Sequence, residues 1–278
     1  MTSRSSCDES CGADAGGSEW RLESRRVPFT AFEPARDGFA FPNNWALQPE
    51  ERAQMREQLS LALERAMSVV SPAFPGAFLL TRLSPRLARV VASSVPDAYG
   101  LCGGMAFAAL DYQRAGRRVS ELYQERPAVG SPLHTYLWRR LLESLALNAP
   151  TFLAWIGVLH VVPERWPFNG GAPWLLARTG EHWRLLQQHL DRGEPMPIGL
   201  VGETRDPFRD HQVLAYGYDA SDANRPVVHV YDMNCPGVGQ SIELDLRGRT
   251  LMAHESCTGA RGALRGLFVE SYVPASPP

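Results

Sequence analysis

The sequence predicts an α+β fold in which a helical lobe, about residues 46–192, packs against a mainly antiparallel β lobe, about residues 193–278 with short strands near the N-terminus. Three observations predict it. Apolar residues recur at helical spacing through the middle of the chain. Short β-type runs broken by Asp, Asn, Pro and Gly fill the last third. A length of 278 residues is near the size at which one hydrophobic core stops growing. One domain over residues 19–278 is expected, behind a structureless tail at residues 1–18 that is rich in Ser, Gly, Cys and Asp.

The elements follow in order. The segment from Trp20 to Trp45 mixes apolar and polar positions around Pro and Gly, as short strands and turns do. Pro49-Glu50-Glu51 opens a helix whose Met55, Leu59, Leu63 and Ala66 or Met67 share a face, with acidic residues where the helix dipole favours them. A second amphipathic piece covers Leu83 to Val91. The glycine-rich turn Tyr99-Gly100-Leu101-Cys102-Gly103-Gly104 leads into an apolar helix from Met105 that ends at Gly116. Pro132 to Leu147 has a helical pattern, Trp166 to Pro173 reads as loop, and Gly180 to Leu190 is a helix closed by Gly193. Strands are expected at Met196–Val201, His211–Tyr218, Val227–Asp232 and Gly266–Val273.

Composition narrows the function classes. With 28 basic and 30 acidic side chains, the formal charge of −2 gives no field to attract nucleic acid. No apolar run reaches the ~20 residues of a membrane span; the longest, Phe152 to Val162, is closed by Pro163. The first residues lack the apolar stretch of a secretory signal, so cytoplasmic residence is expected. Five cysteines, an odd count, do not suggest a disulfide framework, and Cys7 and Cys11 read as exposed tail residues.

The chemistry centres on Cys102. A cysteine reacts as thiolate, which a helix N-terminus and a nearby imidazole both favour. Cys102 stands at such a terminus, and the glycines after it, Gly103 first, let a substrate carbonyl approach backbone N–H groups able to hold an oxyanion. His211 heads the strand His-Gln-Val-Leu-Ala-Tyr-Gly-Tyr. Asp232 ends the next strand, so a hairpin would bring its carboxylate to the imidazole. Taken separately, each has a plainer reading: a buried inert thiol, a solvated strand-end histidine, a turn aspartate.

Leu101-Cys102-Gly103-Gly104-Met105-Ala106 at a helix start, His211 to Asp219 and Tyr231 to Gly237 together resemble the papain-like cysteine peptidase superfamily. Within it, they are most similar to the free-standing relatives of the peptidases that remove double-glycine leaders from bacteriocins. The resemblance covers about half of the chain. It implies a papain-like fold, a Cys-His-Asp triad of Cys102, His211 and Asp232, and a peptide or protein substrate. Relatives carry a glutamine just before the nucleophile to complete the oxyanion hole, whereas Ser93 to Tyr99 has neither Gln nor Asn, leaving Ser94 or Tyr99 as substitutes. Aligning Cys102 with the first cysteine of a Cys-Gly-Ser-Cys motif would put Met105 at the nucleophile position; the Cys-Gly pair of the leader peptidases fits without a shift.

The expected activity is hydrolysis of peptide or other amide bonds, with no cofactor and no metal. The alternatives are an inactive papain-like module that binds a peptide or partner, and an acyltransferase or transglutaminase-like enzyme. Asn234 is a further candidate for orienting His211, and Cys235 is either a resolving thiol or a bystander. His182 and His189 read as surface residues, and Trp138, Trp166, Trp174 and Trp183 as filling of the helical lobe.

Overall fold

The computed structural model of the protein describes residues 28–69, 100–161, 170–202, 210–248, 251–257 and 263–278. The expectations for the tail at 1–18, Cys7, Cys11, Leu83 to Val91, Ser94, Tyr99 and Trp166 lie outside these residues. Helices α1 (Pro34–Asp37), α2 (Pro49–Val69), α3 (Cys102–Arg114), α4 (Val119–Leu122), α5 (Pro132–Val161) and α6 (Gly171–Asp191) come first. Strands β1 (Met196–Gly202), β2 (His211–Asp219), β3 (Val227–Tyr231), β4 (Gly239–Asp245), β5 (Met252–Glu255) and β6 (Leu264–Val269) follow. The class is α+β, and every strand pair is antiparallel.

The six strands close into a barrel in chain order. β1 is flanked by β2 and β6, with Leu200 opposite His211 on one side and Leu267 on the other. β2 and β3 form the expected hairpin, bulged between Ala215 and Gly217. Among the described residues β5 and β6 are joined by one residue pair, Ala253 with Leu264. Ile198, Leu200, Val213, Val228, Val230, Ile242, Leu244 and Leu267 share the barrel core with Trp183, Leu186 and Leu190 of α6. Strands β4 and β5 are absent from the sequence expectations.

The helical core surrounds α3, which is buried from Cys102 to Tyr112. Gly104 lets α5 cross closely: a Cβ there would lie 2.2 Å from the carbonyl oxygen of Leu137. α2 starts on a half capping box, the Glu51 carboxylate accepting the Gln48 backbone N–H at 2.8 Å. Its Met55 is fully buried and Leu59 packs against the same core, while the side chains of Leu63, Ala66 and Met67 are outside the description.

Three expectations need correction. α5 does not stop near Leu147 but runs on through Pro150, bending by 59° there because proline removes a hydrogen bond and crowds the preceding turn; Arg65 donates to the freed carbonyl of Ala146 at 3.5 Å. Pro173 is in the first turn of α6 rather than in a loop, a position where no N–H is needed. Among the described residues before α1 there is no strand, only a bridge between Phe29 and Gly217. Pro28 and Pro34 cannot donate to a ladder, and Phe32, Phe39, Phe41 and Trp45 bury themselves in the helical core instead.

The last segment also departs from its expected strand. β6 ends at Val269, and residues 270–278 cross the helical lobe as a strap. Asn148 exchanges hydrogen bonds with Ser271 at 3.0 and 2.8 Å. The buried Asp111 carboxylate accepts Tyr272 Oη at 2.6 Å and the Ala275 N–H at 2.8 Å. Arg140, paired with Asp111 at 2.8 Å, donates to the Val273 carbonyl at 2.8 Å. Among the described residues, no single helix is long and apolar enough to cross a membrane; the two arms of α5 match a span only together, and their Leu137, Leu141, Leu145, Leu153, Trp155 and Val158 are buried in the core.

Candidate active site

Cys102 is the first residue of α3, and its position is fixed from behind. Asn43 Oδ1 accepts the Leu101 N–H at 2.6 Å, and the Asn43 N–H donates to the Met233 carbonyl at 3.0 Å. One asparagine thus ties the cysteine turn to the loop that follows Asp232. The first intrahelical bond runs from the Met105 N–H to Leu101 O at 2.8 Å, so the N–H groups of Cys102, Gly103 and Gly104 make up the donor end of the helix. Cys102 is buried at 5% exposure, and Met105 is fully enclosed in the helical core. The sulfur at the site is that of Cys102.

His211 and Asp232 come together from neighbouring strands. His211 Nε2 is 2.9 Å from Asp232 Oδ1, and the Cys102 thiol is a further hydrogen-bond partner of the ring. With Nε2 turned to the carboxylate, Nδ1 is left for the sulfur. Complete burial would lower the His211 imidazole, but the Asp232 carboxylate and then Cys102 outweigh it and push it up to about 9. Burial likewise opposes charge on Asp232, but His211, a hydrogen bond from the Glu255 carboxyl and the Asn234 N–H hold it well below the usual carboxylate range. The buried ion pair is the favoured form.

Asn234 lies where the sequence placed it as an auxiliary. Its N–H donates to Asp232 Oδ1 at 2.7 Å and its side-chain amide is 3.1 Å from His211 Nε2. At Gly103 the absent side chain also serves the packing of the protein itself. A Cβ there would stand 1.9 Å from Gln212 Oε1 and 2.3 Å from Ser144 Oγ, so the missing side chain makes room for a protein amide. Gln212 Oε1 in turn is 4.0 Å from Cys102 Sγ and 3.4 Å from Ser144 Oγ. Its Nε2 donates to Glu270 Oε1 at 2.6 Å.

His211, Asp232 and Glu255 each bring a ligand atom within 4.8 Å of the others, a set not foreseen by the sequence reading. His211 and Asp232 touch at 2.9 Å, whereas two ligands of one tetrahedral zinc stand roughly 3.3 Å apart when each bond is about 2.0–2.1 Å. The spacing of His211 and Asp232 fits a hydrogen bond better than ion ligation.

Other expectations change. Cys235 is neither a resolving thiol nor a bystander but is disulfide-bonded to Cys257, tying the Asp232 loop to the end of β5; the odd cysteine count hid a pair 22 residues apart. His182 is half-buried against Trp155 and Phe268 and accepts the Val269 N–H at 3.2 Å, while His189 pairs with Glu194 at 2.7 Å. Trp138 does fill the helical lobe, but Trp183 belongs to the barrel core and Trp174 packs beside Trp155. Asn43, Ser144, Gln212, Glu255 and Glu270 were not singled out. Only Gln212 had a signal, its place beside His211.

No protein-family model matches the chain, and neither a curated protein nor a solved structure is detectably similar to it.

Proposed function

We propose that this chain is a thiol-dependent hydrolase of peptide or other amide bonds, with Cys102 as nucleophile, His211 as general base and acid, and Asp232 as its orienting partner in a papain-like arrangement. The observation that supports it is the buried series of contacts from the Cys102 sulfur through His211 to Asp232. In this reading His211 takes the thiol proton and the thiolate attacks the acyl carbon, its carbonyl electrons moving to an oxygen at the first-turn N–H groups of α3. As the C–N bond breaks, His211 protonates the leaving amine. Water, deprotonated by His211, then cleaves the thioester and restores the thiol. A raised imidazole pKa suits the first step, since it keeps the abstracted proton on the ring at neutral pH.

A peptide or protein substrate belongs to the same proposal and draws on the three motifs. Cytoplasmic residence does too, with the consequence that Cys235 and Cys257 would be dithiols in a reducing cytosol. The test is alkylation by iodoacetamide at pH 6, read by peptide mass mapping. Cys102 should label faster than Cys7 or Cys11, and Cys102→Ser should lose ~10³-fold or more of turnover of an activated ester such as p-nitrophenyl acetate. Slow labelling of Cys102, or full turnover in the variant, would leave a binding module instead. Faster release of acyl product on adding an amine would identify acyl transfer.

A further inference from the structure

The hydrolase mechanism leaves two buried polar side chains beside the nucleophile unused. Gln212 is 3% exposed and Glu270 2%. Gln212 reaches from β2 past the α-carbon of Gly103 to the sulfur, and Glu270, the first residue after β6, lies behind it. Glu270 Oε2 has no hydrogen-bond partner among the described residues. Interiors that need only stability fill such positions with apolar side chains, because a buried amide and carboxyl must find partners or lose stability. Here Gly103 forgoes a Cβ, and Ser144 contributes a hydroxyl within 3.4 Å of both amide atoms.

The chemistry of a primary amide gives this cluster two states. In the one described, the carbonyl faces sulfur and hydroxyl while the NH₂ group donates to Glu270. That suits an S–H donor and is hostile to a thiolate, which would face a carbonyl oxygen with a carboxylate behind it. Turning the amide over about Cγ–Cδ puts N–H on the sulfur and the carbonyl on Glu270. The second state needs an O–H there, because two acceptors cannot bond each other.

We propose that Gln212 sets the ionisation of Cys102 by this turnover: carbonyl towards sulfur keeps the thiol, and amide N–H towards sulfur, with protonated Glu270 donating to the carbonyl, keeps the thiolate. In the second state the thiol proton resides on His211 and Glu270 holds a proton taken up from solvent, so the amide turns over as the carboxyl protonates. Gln212 touches the reacting atom, and Glu270 is a positioning residue that acts through it. The inference deepens the hydrolase reading and rests on it. It also supplies, from the strand side, a donor that the segment before Cys102 lacks.

The sign of the pH dependence follows. The charged or titratable groups facing Glu270 are Cys102 on α3 and His211 on β2. Burial raises the carboxyl, the Gln212 N–H lowers it, a charged Cys102 raises it and His211 lowers it, leaving it at about 8. Below that pH the acid is protonated and the thiolate keeps its donor; above it the carboxylate recaptures the N–H.

The experiment is the rate of Cys102 alkylation by iodoacetamide from pH 5 to 10, in the full chain with its disulfide intact. In the unaltered protein the rate should rise with thiolate formation and fall as pH passes about 8. Glu270→Gln should abolish that fall, and Gln212→Met should slow labelling at pH 6 about tenfold, moving the acid limb up by about one pH unit. Gly103→Ala, which displaces the amide without removing it, should behave as Gln212→Met and takes its place if the latter does not fold. Fast labelling that keeps one profile in all folded variants would overturn the role of Gln212 and leave the hydrolase reading intact. Slow labelling of Cys102 in the unaltered protein would overturn both.

Discussion

At Asp232 a single carboxylate decides the state of an imidazole that has left water. Burial alone would keep His211 neutral, so its raised pKa depends on that neighbour. In Asp232→Asn the His211 pKa should fall below the ordinary value of about 6.5, seen as a displaced imidazole titration by NMR, and alkylation of Cys102 at pH 7 should slow by ~10-fold or more. An unmoved titration would mean that another group holds the charge. Cys102, His211 and Asp232 were legible only together: each stands at an element boundary and alone has a plainer reading, but their three motifs follow in one order. Glu270 and Glu255 were not. In Phe-Val-Glu-Ser and Ala-His-Glu-Ser no neighbouring residue marks either carboxyl as buried, and only the tertiary structure encloses them.

At the scale of elements, two close approaches fix the helical lobe. α3 and α5 cross at Gly104, where a Cβ would overlap the Leu137 backbone; Gly104→Ala should cost about 1–3 kcal/mol by overpacking, measured by urea unfolding. The strap depends on the Asp111–Arg140 pair, each residue at most 2% exposed. Asp111→Ala takes one carboxylate from the buried Arg140 guanidinium, which keeps Glu143 and the Val273 carbonyl, and should cost about 1.5–3 kcal/mol, with protease cleavage appearing first within residues 270–278. Helices α2 and α3 were legible from spacing and from the turn chemistry at their ends. β4 carried a readable alternation, Ile242, Leu244 and Leu246, but its polar intervening residues resembled loop. The continuation of α5 through Pro150 ran against local propensity, and the bent helix is held by packing that no window of sequence displays.

For the whole molecule, the two lobes meet across a layer of buried ionisable groups, and stability should follow their titration. His211 is raised from 6.5 to about 9, so its contribution is complete below 6.5 and is lost as pH rises through 9. Glu270, raised from 4.5 to about 8, shares that sign: its protonated form is the stable one, and stability is lost as pH rises through 8. The melting temperature should therefore fall between pH 6.5 and 9, and less steeply in Glu270→Gln; equal slopes would remove Glu270 from the account. The Cys235–Cys257 bond could not be read from a chain with five cysteines, because pairing needs proximity that only the closed barrel creates. Replacing both by Ala should lower stability by about 2–4 kcal/mol, measured by chemical denaturation.

Among the described residues β5 and β6 pair only at Ala253 and Leu264, the seam of the barrel with the fewest paired residues. Deuterium should enter the amides of β5 and β6 there before those of β1 to β3, and sooner still once the sulfur bridge at Cys257 is reduced. Such unzipping would uncover the Glu255 side of the site while α3 stays folded, so a protein whose His211–Asp232 pair has been opened to water could still give an almost unchanged circular dichroism spectrum.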